Sequence, residues 1–142
     1  MTISKHTISI YNKSTGGGGI FDDGDTWIKT ILTNCQFEDA INRNANTNGI
    51  TAIDKSAMVI IPKTRGMKPY LEPAEYSKLP IDQRSKYFTL AAGDIIAKGD
   101  TPNIQGIFTS QILLRDYKAF TIKAVNNLSD QAVLPHWECQ GI

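Results

Sequence analysis

The segment Tyr117–Asn126, YKAFTIKAVN, alternates apolar and polar residues: Phe120, Ile122 and Ala124 fall on one side, Thr121 and Lys123 on the other. A period of two marks a strand with one face in a core, because successive side chains of an extended chain point to opposite faces. Val125 adds β-branched content, which suits a pleated, half-buried surface. The same pattern opens the chain, where Thr7–Tyr11 (TISIY) puts Ile8 and Ile10 on one face.

Between these two segments the β signal recurs. Thr26–Phe37 (TWIKTILTNCQF) is rich in β-branched and aromatic residues. Alternation gives it one row of Trp27, Ile31, Cys35 and Phe37 and another of Ile28, Thr30 and Leu32, as expected of a long strand buried partly on both faces or carrying a bulge. Ala57–Ile61 (AMVII) is a short apolar run stopped by Pro62, which fits a central strand that ends abruptly. Shorter candidates are Asp94–Ala97, set between Gly93 and Gly99, and His136–Gln140 near the C-terminus. Helix is scarce. Pro73–Leu79 places proline in a first helical turn with Glu75 behind it, and Pro80 closes it. The stretch Asn103–Asp116 is ambiguous, since Ile107, Ile112 and Leu113 could mark a helix that Gly106 weakens.

The connections complete the pattern. Ser14–Gly19 with its four glycines, followed by the turn Asp22–Asp25, reads as the hairpin connection between the first two strands. Asn42–Asn48 reads as an exposed polar turn. The stretch 63–92 is the largest break in the β pattern, with three prolines (Pro69, Pro73, Pro80) and the short helix. These features predict a mainly β chain, a small barrel or sandwich with one short helix in a long mid-chain loop. Its 142 residues are expected to form a single domain, 1–142, with the excursion at about 63–92.

Composition narrows the function classes. Hydrophobic residues make up 41% and charged residues 20%, ordinary globular usage that argues against wholesale disorder. A net charge of +1 argues against a dedicated nucleic-acid binder. No apolar run approaches the ~20 residues of a membrane span, and Met1–His6 lacks the pattern of a secretory signal, so synthesis and folding in the cytoplasm are expected. In that compartment Cys35 and Cys139 read as buried free thiols rather than a bridge.

Each candidate for chemistry falls short in spacing. The glycine run leads into Ile20-Phe21-Asp22-Asp23, with no lysine for a phosphate. A calcium loop counted from Asp22 would place its bidentate glutamate at Thr33. His136 and Cys139, joined by His6 and Cys35, could compose a zinc set, but His136 and Cys139 lie three apart in a strand and so on opposite faces. Trp137 and Cys139 would instead share the buried face, with His136 and Glu138 facing out. No nucleophile–histidine–carboxylate arrangement is recognisable, and the carboxylate pairs Glu72/Glu75 and Glu38/Asp39 sit in polar surface contexts. The expectation is a protein without cofactor or metal that works by assembly rather than as an enzyme.

The order of features carries a resemblance. The opening strand TISIYNK is followed by Trp27-Ile28-Lys29-Thr30-Ile31, Val59-Ile60-Ile61-Pro62 and Tyr70-Leu71-Glu72-Pro73-Ala74-Glu75-Tyr76. Phe88-Thr89-Leu90, the block Gly93–Gly99 (GDIIAKG), Phe120-Thr121-Ile122 and Pro135-His136-Trp137 come after. Over nearly the whole chain this resembles a family of small proteins from the structural modules of tailed phages and prophages, similar in size and β content to head-completion (stopper or head-closure) proteins. The resemblance implies a virion protein at the head–tail junction, a connector-ring subunit made of copies of itself. Its neighbours would be portal or adaptor proteins on one side and tail-terminator proteins on the other. It also implies that the 63–92 excursion is a channel loop or inter-subunit arm. Lys63, Arg65, Lys68, Lys78, Arg84 and Lys86 would then meet packaged DNA non-specifically through phosphate attraction, with Tyr70 and Tyr76 at the interface. Alternatives are a tail-terminator, tail-tube or baseplate ring subunit. From another class comes a monomeric β-barrel that binds a small ligand or sugar on Tyr70, Tyr76, Tyr87 and Phe88.

Overall fold

A computed structural model describes residues 5–15, 25–45 and 51–142. Among the described residues are six strands: β1 His6–Thr15, β2 Asp25–Ala45, β3 Thr51–Pro62, β4 Ile95–Lys98, β5 Ala119–Leu128 and β6 His136–Gly141. All pairings are antiparallel, and they close into a barrel in the order β1-β2-β3-β6-β5-β4. The mainly β reading therefore resolves to a barrel rather than a sandwich. Pro62 ends β3 at the last rung of its ladder, opposite His136, where its missing N–H does not interrupt the central pairing.

The interior is filled by side chains. Ile8 and Ile10 from β1 meet Val59 and Ile61 from β3, Ile96 from β4, Phe120 and Ile122 from β5, and Trp137 and Cys139 from β6, all essentially buried. Phe37 and Phe120 pack at 5.7 Å between ring centroids. Burial pushes the thiol pKa of both Cys35 and Cys139 up to about 12, and the two remain free thiols.

β1 is buried on its other face as well. After α1 (Pro73–Ser77) and α2 (Ile81–Arg84), both between β3 and β4, helix α3 (Ser110–Asp116) lies in the stretch whose sequence pattern was ambiguous. Its Thr109 cap accepts a hydrogen bond from Ile112 N at 3.3 Å. Its Leu113 is fully buried with Tyr11, Ile95 and Ala97, a burial that contributes about 2 kcal/mol on an area scale. Tyr11 Oη donates to Pro102 O at 2.7 Å and is paired with the Thr101 hydroxyl. Ser9 Oγ donates to Gly99 O and accepts from Thr101 N, so the loop after β4 is tied to β1 by hydrogen bonds rather than by apolar contact alone.

Two bulges explain where simple alternation fails. In β2, Leu32 stands opposite Ile8 while Cys35 stands opposite His6, and Asn34 takes a left-handed φ of 60°. The extra residue exchanges the rows. Thr30 and Leu32 face inward before it and Cys35 and Phe37 after it, so the expected single row of Trp27, Ile31, Cys35 and Phe37 is broken and Ile31 is exposed. In β5 the register shifts between Ile122 and Ala124. Ala124 is consequently exposed and Val125 packs against the core instead.

Two further differences concern the connections. Asn42–Ala45, read as part of a turn, belong to β2, which pairs with β3 as far as Ala45 opposite Thr51; residues 46–50 lie outside the described residues. Gly16–Gly19 and Asp22–Gly24 also lie outside them. The rung Thr15–Asp25 nevertheless makes β1 and β2 a hairpin, as expected. No helix among the described residues is long and apolar enough to cross a membrane.

Candidate functional site

The excursion after β3 folds back onto the barrel. Pro73 starts helix α1 (Pro73–Ser77), as expected, and a second short helix that the sequence did not announce follows, α2 (Ile81–Arg84). The limbs before and after these helices bridge at Tyr70 and Phe88, with Leu71 N donating to Phe88 O and Phe88 N to Pro69 O, each at 3.0 Å. Tyr70, Phe88 and Trp137 then form an aromatic triangle with centroid separations of 5.0 to 5.7 Å. Phe88 and Leu90 enter the barrel core, and Tyr76 is buried, its phenol pushed up to about 12 by desolvation. The excursion is a cap.

Arg84 holds this cap in place. Its guanidinium donates to Leu79 O at 3.0 Å, Ser77 O at 2.9 Å and Ser14 Oγ at 2.8 Å, and lies over the Tyr76 ring at 5.7 Å. A second tie lies at the end of the cap. Asn12 on β1 donates from Nδ2 to Thr89 O at 2.6 Å and to Asp94 Oδ2 at 2.9 Å, and accepts from Thr89 N at 3.3 Å. Asp94 also accepts from Lys13 N and Ala91 N. Burial raises the Asp94 pKa and outweighs the donors around it, which pull it down. The carboxylate therefore serves as a hub for orientation rather than a net electrostatic gain.

The residues expected at a channel loop separate into distinct roles. Arg84 and Tyr76 are spent inside the cap, and Tyr70 is half-buried against Trp137 with its hydroxyl toward Glu72. Lys78 is paired with Glu75 and Lys86 with Gln83, both at the surface. Lys63 and Arg65 are exposed and have no charged partner among the described residues. Lys68 is half-buried, and its ammonium donates to Thr30 Oγ1 at 3.0 Å. Desolvation lowers its pKa, and no carboxylate among the described residues acts on it.

Two clefts flank this segment. One, of about 570 Å³, runs past Lys63, Tyr70 and Trp137 and is rimmed by Glu72, Glu75 and Asp130. The other, of about 400 Å³, lies between the β2 bulge at Thr33–Asn34 and the turn Thr64–Lys68, with no Asp or Glu among the described residues that line it. The sequence pattern allowed for a bulge in β2 but not for the cleft beside it, because alternation within one strand does not name a turn elsewhere in the chain that packs against it.

The histidines and cysteines are not brought together. His6 Nδ1 accepts from Phe37 N at 3.1 Å, and no cluster of three or more potential metal ligands exists among the described residues. As expected, Trp137 and Cys139 face the core. His136 lies between Leu134 O, 2.7 Å from Nδ1, and Glu138 Oε1, 3.0 Å from Nε2. Both partners are acceptors, so only the doubly protonated ring satisfies both, and the His136 pKa is raised, chiefly by the Leu134 carbonyl and then by Glu138. A histidine whose folded pKa is raised adds stability that is fully present below its unfolded pKa and lost as pH rises through the folded one. The urea midpoint is therefore expected to fall from slightly acid to alkaline pH, and His136→Ala to flatten that part of the profile. An identical slope in the variant would rule the pair out as its source.

Residues 2–142 match a family of unknown function, DUF6751. The chain belongs to that family. No curated protein and no solved structure matches it.

Proposed function

We propose that this chain is a structural subunit that works by assembly, a ring-forming head–tail connector (stopper) protein of a tailed-phage virion. The observation that carries the reading is the far part of the β2–β3 hairpin. Residues 25–35 of β2 pair with β1, and residues 57–62 of β3 pair with β6. Beyond these, Ala40–Ala45 and Thr51–Ser56 pair only with one another among the described residues. Six rungs of two-stranded ribbon, about 20 Å at the rise of an extended chain, thus extend past the barrel pairings with no third strand on their outer edges among the described residues. A lone two-stranded ribbon is marginal in water, and an open edge is a template for another strand. Head-to-tail contact of such an arm with the next copy generates a ring when the rotation closes. On this reading the ribbon is the inter-subunit arm and the 63–92 excursion, packed down as a cap, is not. Placement in a phage neck rests on the resemblance of the segment order, above all GDIIAKG and PHW.

Sedimentation and particle proteomics test this together. Replacing residues 41–55 with Asn-Gly closes the hairpin early with a two-residue turn. The variant is expected to stay a folded monomer, while the full chain forms a closed oligomer and is found in purified virions. A full chain that stays monomeric at every concentration and is absent from particles would sink the reading.

A further inference from the structure

We propose that the cleft between the β2 bulge and the Thr64–Lys68 turn is a binding site for a phosphate group. It lies within one subunit, so it goes beyond the ring reading and does not rest on it. Lys68 carries the argument. A partly desolvated ammonium is normally matched by a carboxylate, because an unpaired charge loses hydration without return. Among the described residues Lys68 has only the neutral Thr30 hydroxyl, which leaves two of its three donors without a partner there. Arg65, exposed and without a charged partner among the described residues, borders the same cleft, with the hydroxyl residues Thr33 and Thr64 and the amide of Asn34. Two cations and a set of hydrogen-bonding groups with no carboxylate among them match an oxyanion with several acceptor oxygens. The neighbouring cleft is a useful contrast, since Glu72, Glu75 and Asp130 rim it and would repel the same ligand. A volume of about 400 Å³ falls within the range of small-ligand sites and admits a phosphate with an attached sugar. The phosphate can therefore come from a free small phosphoester or from the backbone of a nucleic acid.

Amide chemical shifts followed by NMR test the site. Pyrophosphate, ribose 5-phosphate and a short mixed-sequence single-stranded oligonucleotide are titrated in turn at constant ionic strength, with sodium chloride as the reference. Saturable shifts are expected at Thr33, Asn34 and Thr64–Lys68. Lys68→Met and Arg65→Ala are each expected to weaken binding by about tenfold, the size of one charge-assisted hydrogen bond, and Lys118→Ala, at a distant exposed lysine, to leave it unchanged. Arg65 is exposed and makes no hydrogen bond or ion pair among the described residues, so its variant reports on binding even if Lys68→Met is unstable. Tightest binding by the oligonucleotide assigns the phosphate to a nucleic-acid backbone, and tightest binding by ribose 5-phosphate to a small phosphoester. Shifts no larger than those of chloride, or equal affinity in Arg65→Ala and the unmodified chain, would overturn the proposal.

Discussion

Gly141→Ala is expected to lower the stability of the chain by about 3 kcal/mol, at the upper end of what overpacking costs. Gly141 is paired on both sides, with Ala57 of β3 and Ile122 of β5. A Cβ there would fall on the Thr121 carbonyl oxygen and stand 2.6 Å from Phe120 Cδ2. Neither neighbour can retreat cheaply. Thr121 O accepts from Ile142 N at 3.3 Å while Thr121 N donates to Ile142 O at 3.1 Å, and Phe120 is buried against Phe37. Gly106→Ala is the fitting comparison. Gly106 has a φ of +60° but open space around it, so that substitution costs about 1 kcal/mol of backbone strain alone. Urea unfolding of the two variants checks the difference, and equal midpoints would mean that β5 and β6 do not cross so closely.

Asp94→Ala is expected to cost a similar amount, about 3 kcal/mol, by a different route. It strips the acceptor from three donors at once, Asn12 Nδ2, Lys13 N and Ala91 N. Each buried donor left unsatisfied costs about 1–3 kcal/mol, reduced where water can enter the space left behind. Asp94→Asn keeps one acceptor oxygen and is expected to fall between the two. Because Asn12 also holds Thr89 through both of its amide groups, the loss should spread into the cap. Amide exchange at Phe88–Leu90 should accelerate in Asp94→Ala and not in Gly106→Ala. If exchange there stays unchanged, Asp94 does not tie the cap to β1.

Much of the barrel was legible because its strands carry their face assignment in alternation, as in Ile8 and Ile10 or Trp137 and Cys139. Alternation breaks where a bulge adds a residue, so Ile31, in one row with Cys35 and Phe37 by spacing, and Ala124, in one row with Phe120 and Ile122, are exposed while those partners are buried. The excursion was legible as a break, and Pro73 marked its first helix. Its role was not, because nothing in the sequence distinguishes a loop that projects from one that returns its Phe88 and Leu90 to the core. The same holds for charge. Arg84 and Lys68 look alike in sequence, yet one satisfies backbone carbonyls while the other stands without a counter-charge. Those differences are set in part by residues 38 and 70 positions away, Thr30 beside Lys68 and Ser14 beside Arg84, which no local pattern names.

The order of the strands also governs when the barrel can form. The β1–β2–β3 meander is local, but the seam between β1 and β4 joins residues about ninety apart, such as Ile8 and Lys98, and β6 must slot between β3 and β5. Long-range pairings of this kind are slow to form because loop entropy must be overcome first. On a ribosome the first three strands would emerge with both edges of the meander open, and closure would wait for the last strand. The nascent chain thus passes through a sticky three-stranded stage, and the rate at which β6 docks decides how long each new molecule spends there.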